Sequence, residues 1–185
     1  MRIQTNLFNL YLAAVLVMAI GFGCQTPTKK SSEKEATLLR VHLEANPTLP
    51  TDRCSVVQIP RSSPVMIRID GNVLLSEIDI KQARVVEDQG GFAIQLQFDR
   101  RGSWALEHCT SENRNKHLAI FAQFANPTNE LHSESRWLAA PKIVRHISDG
   151  VLVFTPDANR EEADQIVLGL NNVAKKLDKE SIWSY

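Results

Sequence analysis

The 185-residue sequence predicts an α+β fold, a mixed, mostly antiparallel sheet with two main helices packed on one face. Three observations point there. Several short runs alternate apolar and polar residues, the period of a strand with one buried face. Two longer stretches carry apolar residues at helical spacing. In mid-chain the order strand, helix, strand fits a right-handed βαβ crossover.

In chain order, Leu39, Val41, Leu43 and Ala45 alternate with Arg40, His42 and Glu44, and Val65, Ile67 and Ile69 alternate with Met66 and Arg68. Both read as strands with one wet face. Asn46 to Arg53, with two prolines, is a turn-rich connection. Phe92, Ile94, Leu96 and Phe98 alternate with Ala93, Gln95 and Gln97 until Asp99-Arg100-Arg101-Gly102 breaks the pattern. A helix follows over Ser103 to Asn115, with Ser103 as its cap and Leu106, Cys109, Thr110 and Asn113 on one side. Leu118, Ile120, Ala122 and Phe124 make the next strand, and Ala125 to Arg136 reads as a long polar loop. Leu138 to Ile147 and Val151 to Phe154 flank Asp149-Gly150, a short-range hairpin signal. Asn159 to Glu162 fits a capping box, and Ala163, Ile166, Val167, Leu170, Ala174 and Leu177 continue one helix face, so the final helix runs from Asn159 to Leu177.

The N-terminus has a different character. Arg2 precedes an apolar run from Leu10 to Phe22, whose 13 residues match a signal-peptide core and fall short of the ~20 that span a bilayer. Gly21-Phe22-Gly23-Cys24 closes it in the manner of a bacterial lipoprotein signal. The domain reading is a signal peptide over 1–23, a lipidated Cys24 with a flexible linker over 24–37, and one domain over 38–180. An uncleaved helical anchor over Leu7 to Gly23 is the alternative, because no charge lies between Arg2 and Lys29. Gln25, standing where Asp marks inner-membrane retention, leans toward the outer membrane. Gln25 to Ala36 is rich in Thr, Lys, Ser and Glu, a linker composition.

Lys and Arg number 21 against 21 Asp and Glu. That balance, with only the short pairs Arg100-Arg101 and Lys175-Lys176, excludes the concentrated basic surface that nucleic acid needs. The sequence carries no nucleophile elbow, zinc-protease helix, phosphate loop or dinucleotide fingerprint, so the reading is not an enzyme. The strongest chemical grouping is Cys109 beside His108, with His117 beyond the helix; the simpler account is a small core-facing thiol. His42, His132 and His146 show no ligand spacing, and neither metal nor cofactor is expected. Cys54 and Cys109 either form a disulfide in an oxidising envelope or stay thiols. Arg100 and Arg101 are candidates to grip a carboxylate or lipid phosphate, or a solvated turn. Trp137 is a partner-facing anchor or a core residue, and Trp183 and Tyr185 are further anchor candidates.

A family resemblance enters at these residues. Gly91-Phe92-Ala93-Ile94-Gln95-Leu96-Gln97-Phe98, Gly102, Leu106-Glu107, Thr110, Asn113, Lys116-His117-Leu118-Ala119-Ile120, Ala139-Ala140-Pro141-Lys142-Ile143, Ile147, Gly150, Phe154-Thr155 and Glu161-Glu162-Ala163 resemble the head part of the first periplasmic region of SecD, an accessory subunit of bacterial preprotein export. Leu74-Leu75-Ser76-Glu77, Ile80, Ala83 and Val85 are similar to the segment leading into that head. The resemblance covers about residues 74 to 176. It departs in two ways. One apolar stretch replaces the family's several membrane helices, so no proton path is built from this chain alone. The family's Asp-Gly turn after the Leu-Ala-Ile strand gives way to Phe121 onward and the loop Ala125 to Arg136.

Together with the N-terminal signal and the lack of catalytic motifs, the resemblance implies a non-enzymatic envelope protein, anchored by lipid or helix and facing the periplasm. Its partner would be unfolded polypeptide or a component of the export machinery, met at a sheet edge or in the groove beside the loop. The rivals are a structural envelope lipoprotein without a client and an unrecognised hydrolase. If Cys24 is the lipidated N-terminus, Cys24→Ser leaves a longer, unlipidated precursor. Intact mass of the membrane-derived wild type decides: residues 1–23 still attached without lipid would establish the anchor instead.

Overall fold

Eight strands and two helices account for the residues that the computed structural model describes, 35–60, 64–88, 90–126 and 129–182. Cys24, the apolar run, most of the linker, Trp183 and Tyr185 lie outside them. The strands are β1 (Leu38–Glu44), β2 (Cys54–Ile59), β3 (Val65–Ser76), β4 (Ile80–Asp88), β5 (Gly91–Phe98), β6 (Leu118–Asn126), β7 (Asn129–Ala139) and β8 (Val151–Phe154). The helices are α1 (Arg100–Glu112) and α2 (Arg160–Ile182), and Glu77–Asp79 forms one 3₁₀ turn between β3 and β4. Among the described residues no helix is long and apolar enough to cross a membrane.

The α+β class holds, and among the described residues every strand pairing is antiparallel. The strands divide between two sheets, in the orders β2-β3-β1-β6-β7 and β4-β5-β8. The larger sheet curls until its edge strands β2 and β7 approach one another. Its inner residues Leu39, Val41, Ile120 and Phe124 share one core with Ile94, Leu96 and Phe98 of the smaller sheet, Leu106 of α1, and Ile166 and Leu170 of α2. The other face holds a smaller cluster, Val57, Ile59, Ile67, Ile69 and Ala119, with Trp137 packed against it.

Three expectations change. The crossover is not a βαβ unit within one sheet, because β5 pairs with β4 and β8 while β6 pairs with β1 and β7, and α1 carries the chain from one sheet to the other. The described residues of the stretch Ala125 to Arg136 belong to β6 and β7, whose ladder pairs Ala122 with Arg136 and Phe124 with Glu134. Leu138 to Ile147 does not pair with β8. Ile143 N–H instead donates to Lys116 O at 2.8 Å and Ile147 N–H to Thr110 Oγ1 at 3.0 Å, which ties this strap to the exit of α1. The Asp149-Gly150 turn survives, with Gly150 at φ 66° against Ser103, but it aims β8 at β5.

α1 begins three residues earlier than its apolar pattern suggests, because Asp99, not Ser103, accepts Gly102 N–H at 2.7 Å. Gly102 allows this start: a Cβ there would lie 3.0 Å from Asp79 Cβ and 3.1 Å from Phe98 Cβ. The box that opens α2 is present in both directions, Glu162 N–H to Asn159 Oδ1 at 2.9 Å and Asn159 N–H to Glu162 Oε2 at 2.8 Å. Arg136 of β7 also donates to Glu162 Oε2, at 2.5 Å, and so pins the hairpin to the start of α2.

Leu170 is fully buried, so Leu170→Asp places an unpaired carboxylate in the shared core. A loss of several kcal/mol is expected, a large part of the roughly 5–15 kcal/mol that holds a domain folded. Thermal unfolding of the full chain checks this, and an unchanged midpoint would show that the face is not core.

Candidate functional site

Hydrogen-bonding capacity that the fold leaves unused locates the site. Backbone groups at a sheet edge must be paired, covered or left to water. On β4, Asn171 of α2 acts as a one-residue partner strand: Ala83 N–H donates to its Oδ1 and its Nδ2 to Ala83 O, both at 2.9 Å. β2 and β7 draw near each other. β8 is different. Phe98 N–H donates to Gly150 O at 3.0 Å, and the register sets Leu96 opposite Leu152 and Ile94 opposite Phe154. These are therefore the hydrogen-bonded pairs, and the N–H and C=O of Val151 and Val153 point away from β5. Val151 N–H is taken by Asp149 Oδ1 at 3.1 Å. Val153 N–H, Val153 C=O and Val151 C=O face outward, and the Val153 side chain is 48% exposed.

Beside this edge lies a cleft of about 170 Å³. Leu118, Ile143, Ile147 and Leu152 give it apolar walls, and Lys142 and Arg145 are among the residues that line it. The strap that forms its far wall is held at both ends. Leu118 N–H donates to Pro141 O at 3.0 Å and Asn115 N–H to Ile143 O at 2.8 Å, while Ile147 is fixed on buried Thr110. A second groove, of about 400 Å³, runs beside the β6–β7 hairpin where the groove next to Ala125 to Arg136 was expected, lined by Thr37, Leu38, Phe124, His132 and Val173.

The residues singled out in the sequence do not converge here. Cys24 lies outside the described residues. Arg101 donates to the buried carboxylate of Asp79 at 2.5 Å, a structural pair, and Arg100 is exposed on the same first turn of α1. Trp137 packs edge-on against His42 and Phe121, with centroids 5.7 and 5.3 Å apart, in the smaller apolar cluster. Cys54 and Cys109 are separate free thiols on β2 and α1. Among the described residues no group of three His, Cys, Asp or Glu side chains could hold a metal. Sequence reasoning missed Trp104, which is 68% exposed and stacked on His108. Its position off the Leu106–Cys109 face was the available signal.

The chemistry at Cys109 follows from its surroundings. Burial pushes the thiol up, against the opposing pull of Lys116. The neighbouring imidazoles are engaged elsewhere, His108 with Trp104 and Glu112 and His117 with Glu44 at 2.7 Å. Such a thiol stays protonated and lacks a base. At about pH 8, alkylation of Cys109 in the folded chain is expected to be at least ~100-fold slower than that of Cys54, the difference vanishing in denaturant. Equal native rates, read by mass spectrometry, would overturn this.

Comparison with known proteins bears on the whole arrangement. The family model described as SecDF, P1 head subdomain, matches residues 54–174. No curated protein matches. Among solved structures, one from work on the structure and function of a membrane component SecDF that enhances protein export is 22% identical with a TM-score of 0.50, over 75% of this chain and 63% of that one. A crystal structure of SecDF in a super-membrane-facing form is 18% identical, TM-score 0.45, over 92% of this chain and 34% of that one. SecDF from Thermus thermophilus, a translocon-associated membrane protein, is 17% identical, TM-score 0.38, over 93% and 34%. The chain thus spans less than two thirds of each, and these likenesses concern the fold. The family match runs from the first residue of β2 to Ala174 in α2, upstream of the resemblance visible from Leu74, and takes in well over half of the sequence. By that match the chain belongs to the family of SecDF P1 head subdomains.

Proposed function

We propose that this chain serves protein export in the cell envelope by holding extended polypeptide at the open edge of β8, with the domain kept at a membrane by lipid on Cys24 or by the apolar run before it. The supporting observation is the outward-facing backbone of Val151 and Val153 beside an apolar cleft, in a fold of the SecDF head family. An extended segment would add as a fourth strand, its main chain bonding to Val153 and a side chain entering between Ile147 and Leu152.

Magnitudes favour brief, sequence-tolerant capture. Three backbone bonds at a net ~1 kcal/mol each supply ~3 kcal/mol, short of the ~4 kcal/mol that corresponds to millimolar binding. One aliphatic side chain in the cleft adds about 1.5–3 kcal/mol, before the cost of ordering the segment. Affinity from the high micromolar to the millimolar range suits a site that must let go. The near balance of charge in the sequence agrees with clients of mixed composition.

Val153→Pro removes the outward N–H while leaving the β5 ladder intact, since edge strands tolerate proline there. Crosslinking of the full chain to an unfolded secretory protein is expected to fall at least ~5-fold, one lost charge-neutral bond of ~1 kcal/mol, with the unfolding midpoint little changed. The folded form of the same client is expected to crosslink weakly in either case. Equal crosslinking to folded and unfolded client would overturn the reading and leave a structural envelope lipoprotein.

A further inference from the structure

The solvent-facing side of α2 carries a basic stripe that the β8 edge does not use. Asn172, Lys175, Lys176 and Lys179 follow the i, i+3, i+4, i+7 spacing of one helix face. By helical geometry this face lies opposite Ile166, Leu170 and Ala174, which are buried in the core. All three lysines are exposed, whereas Asp178 and Glu180 fall to either side of the stripe. Together with Glu35, Ala36 and Val173, the stripe lines a shallow cleft of about 410 Å³.

The chain enters the domain at this place. Asn172 Nδ2 donates to Glu35 O at 3.0 Å, and the Gln165 amide bonds the Glu35 carboxylate, so that nearby carboxylate already has a partner within the fold. Thr37 lies against Gly169 so closely that a Cβ there would sit 2.8 Å from Thr37 N. The path back from Glu35 to Cys24 is a short linker. Its ~40 Å of fully extended reach keeps this side of the domain at a high effective concentration beside any membrane that holds Cys24.

We infer that Lys175, Lys176 and Lys179 form a docking face for an anionic bilayer surface, orienting the tethered domain; the inference rests on the membrane-anchor reading above. A lysine close to an anionic leaflet favours contact roughly fivefold, so three favour it roughly a hundredfold over a neutral surface. The attraction acts only within a Debye length of about 8 Å at physiological salt. It therefore works for a face already held near the headgroups.

The test uses the full chain incubated with vesicles of phosphatidylcholine alone or of phosphatidylcholine mixed with phosphatidylglycerol. Flotation reads the anchor, and lysine acylation by a membrane-impermeant reagent, followed by mass spectrometry, reads the docking face. With both vesicles floating the chain, Lys175, Lys176 and Lys179 are expected to react at least ~5-fold more slowly on the anionic ones, an effect abolished by high salt, while Lys142 on the strap is unchanged. Flotation with both vesicles but equal lysine reactivity overturns the docking face and leaves the anchor. Flotation with anionic vesicles only, with the lysines protected, overturns the anchor and with it the orientation of a tethered domain, leaving a purely electrostatic contact. Flotation with neither overturns both.

Discussion

The buried carboxylate of Asp79 controls how the two sheets meet. It sits where the chain leaves β3 in the large sheet for β4 in the small one, and it is 7% exposed. Ser76 N–H and Ser76 Oγ both donate to its Oδ2, at 2.9 and 3.1 Å, and Arg101 of α1 donates to Oδ1. Its own carbonyl accepts Asp99 N–H at 2.8 Å, at the end of β5. Two residues back, Glu77 Oε2 accepts Leu39 N–H of β1 at 3.1 Å. One four-residue turn thus fastens β1, β3, β4, the end of β5 and the start of α1. A carboxylate this buried is costly unless its oxygens are occupied, and that cost lends the turn its rigidity. Among the described residues no ladder bond joins the sheets, so their mutual angle rests on this turn and on the shared core.

The open edge is a consequence of that arrangement. Once β3 turns into β4 at Asp79, α2 lies against both β4 and β6, and Asn171 pairs with Ala83 on the outer edge of β4. The opposite edge of the small sheet falls to the last and shortest strand. β8 stays short because Gly150 starts it at a positive φ and Pro156 follows two residues after its end. A four-residue edge with one donor already taken by Asp149 is too small to template aggregation, yet long enough to accept two or three bonds from a passing segment.

Residue patterns made the local elements legible and left their partners hidden. Alternation located β1, β5 and β6, and the reciprocal Asn159–Glu162 box placed the start of α2 at once, because these signals depend on neighbours within a few positions. β7 was missed because the half-buried positions Glu134 and Arg136 are charged like the exposed residues around them, held by ion pairs with one another and with Glu162, so no apolar alternation shows. Arg100-Arg101-Gly102 looked like a break because the acceptor that gives Arg101 its place is 22 residues upstream. The candidate site was illegible for the same reason. Whether Val153 faces a neighbour or open space is settled by which strands pair, and Asp149-Gly150 signals a turn without naming the strand that β8 will join.

β1 shows why the folding unit extends beyond the family match. The match begins at Cys54, yet β1 is the middle strand of the large sheet, hydrogen-bonded to β3 on one side and β6 on the other, with Leu39 and Val41 fully buried. Without it, two faces of ladder donors and acceptors and the apolar surface around Leu75, Ile120 and Ala122 would lose their cover. The same strand leads back through Thr37 to Glu35, so the element that completes the sheet also fixes where these residues join the domain. The residues lining that entry, among them Glu35, Asn172, Lys175 and Lys179, have none in common with the cleft at β8, which draws on Leu118, Ile143, Ile147 and Leu152 among others. Under the proposed function, tethering and capture would therefore place separate demands on the sequence, and a strand added at Val153 would leave the Lys175–Lys179 face free.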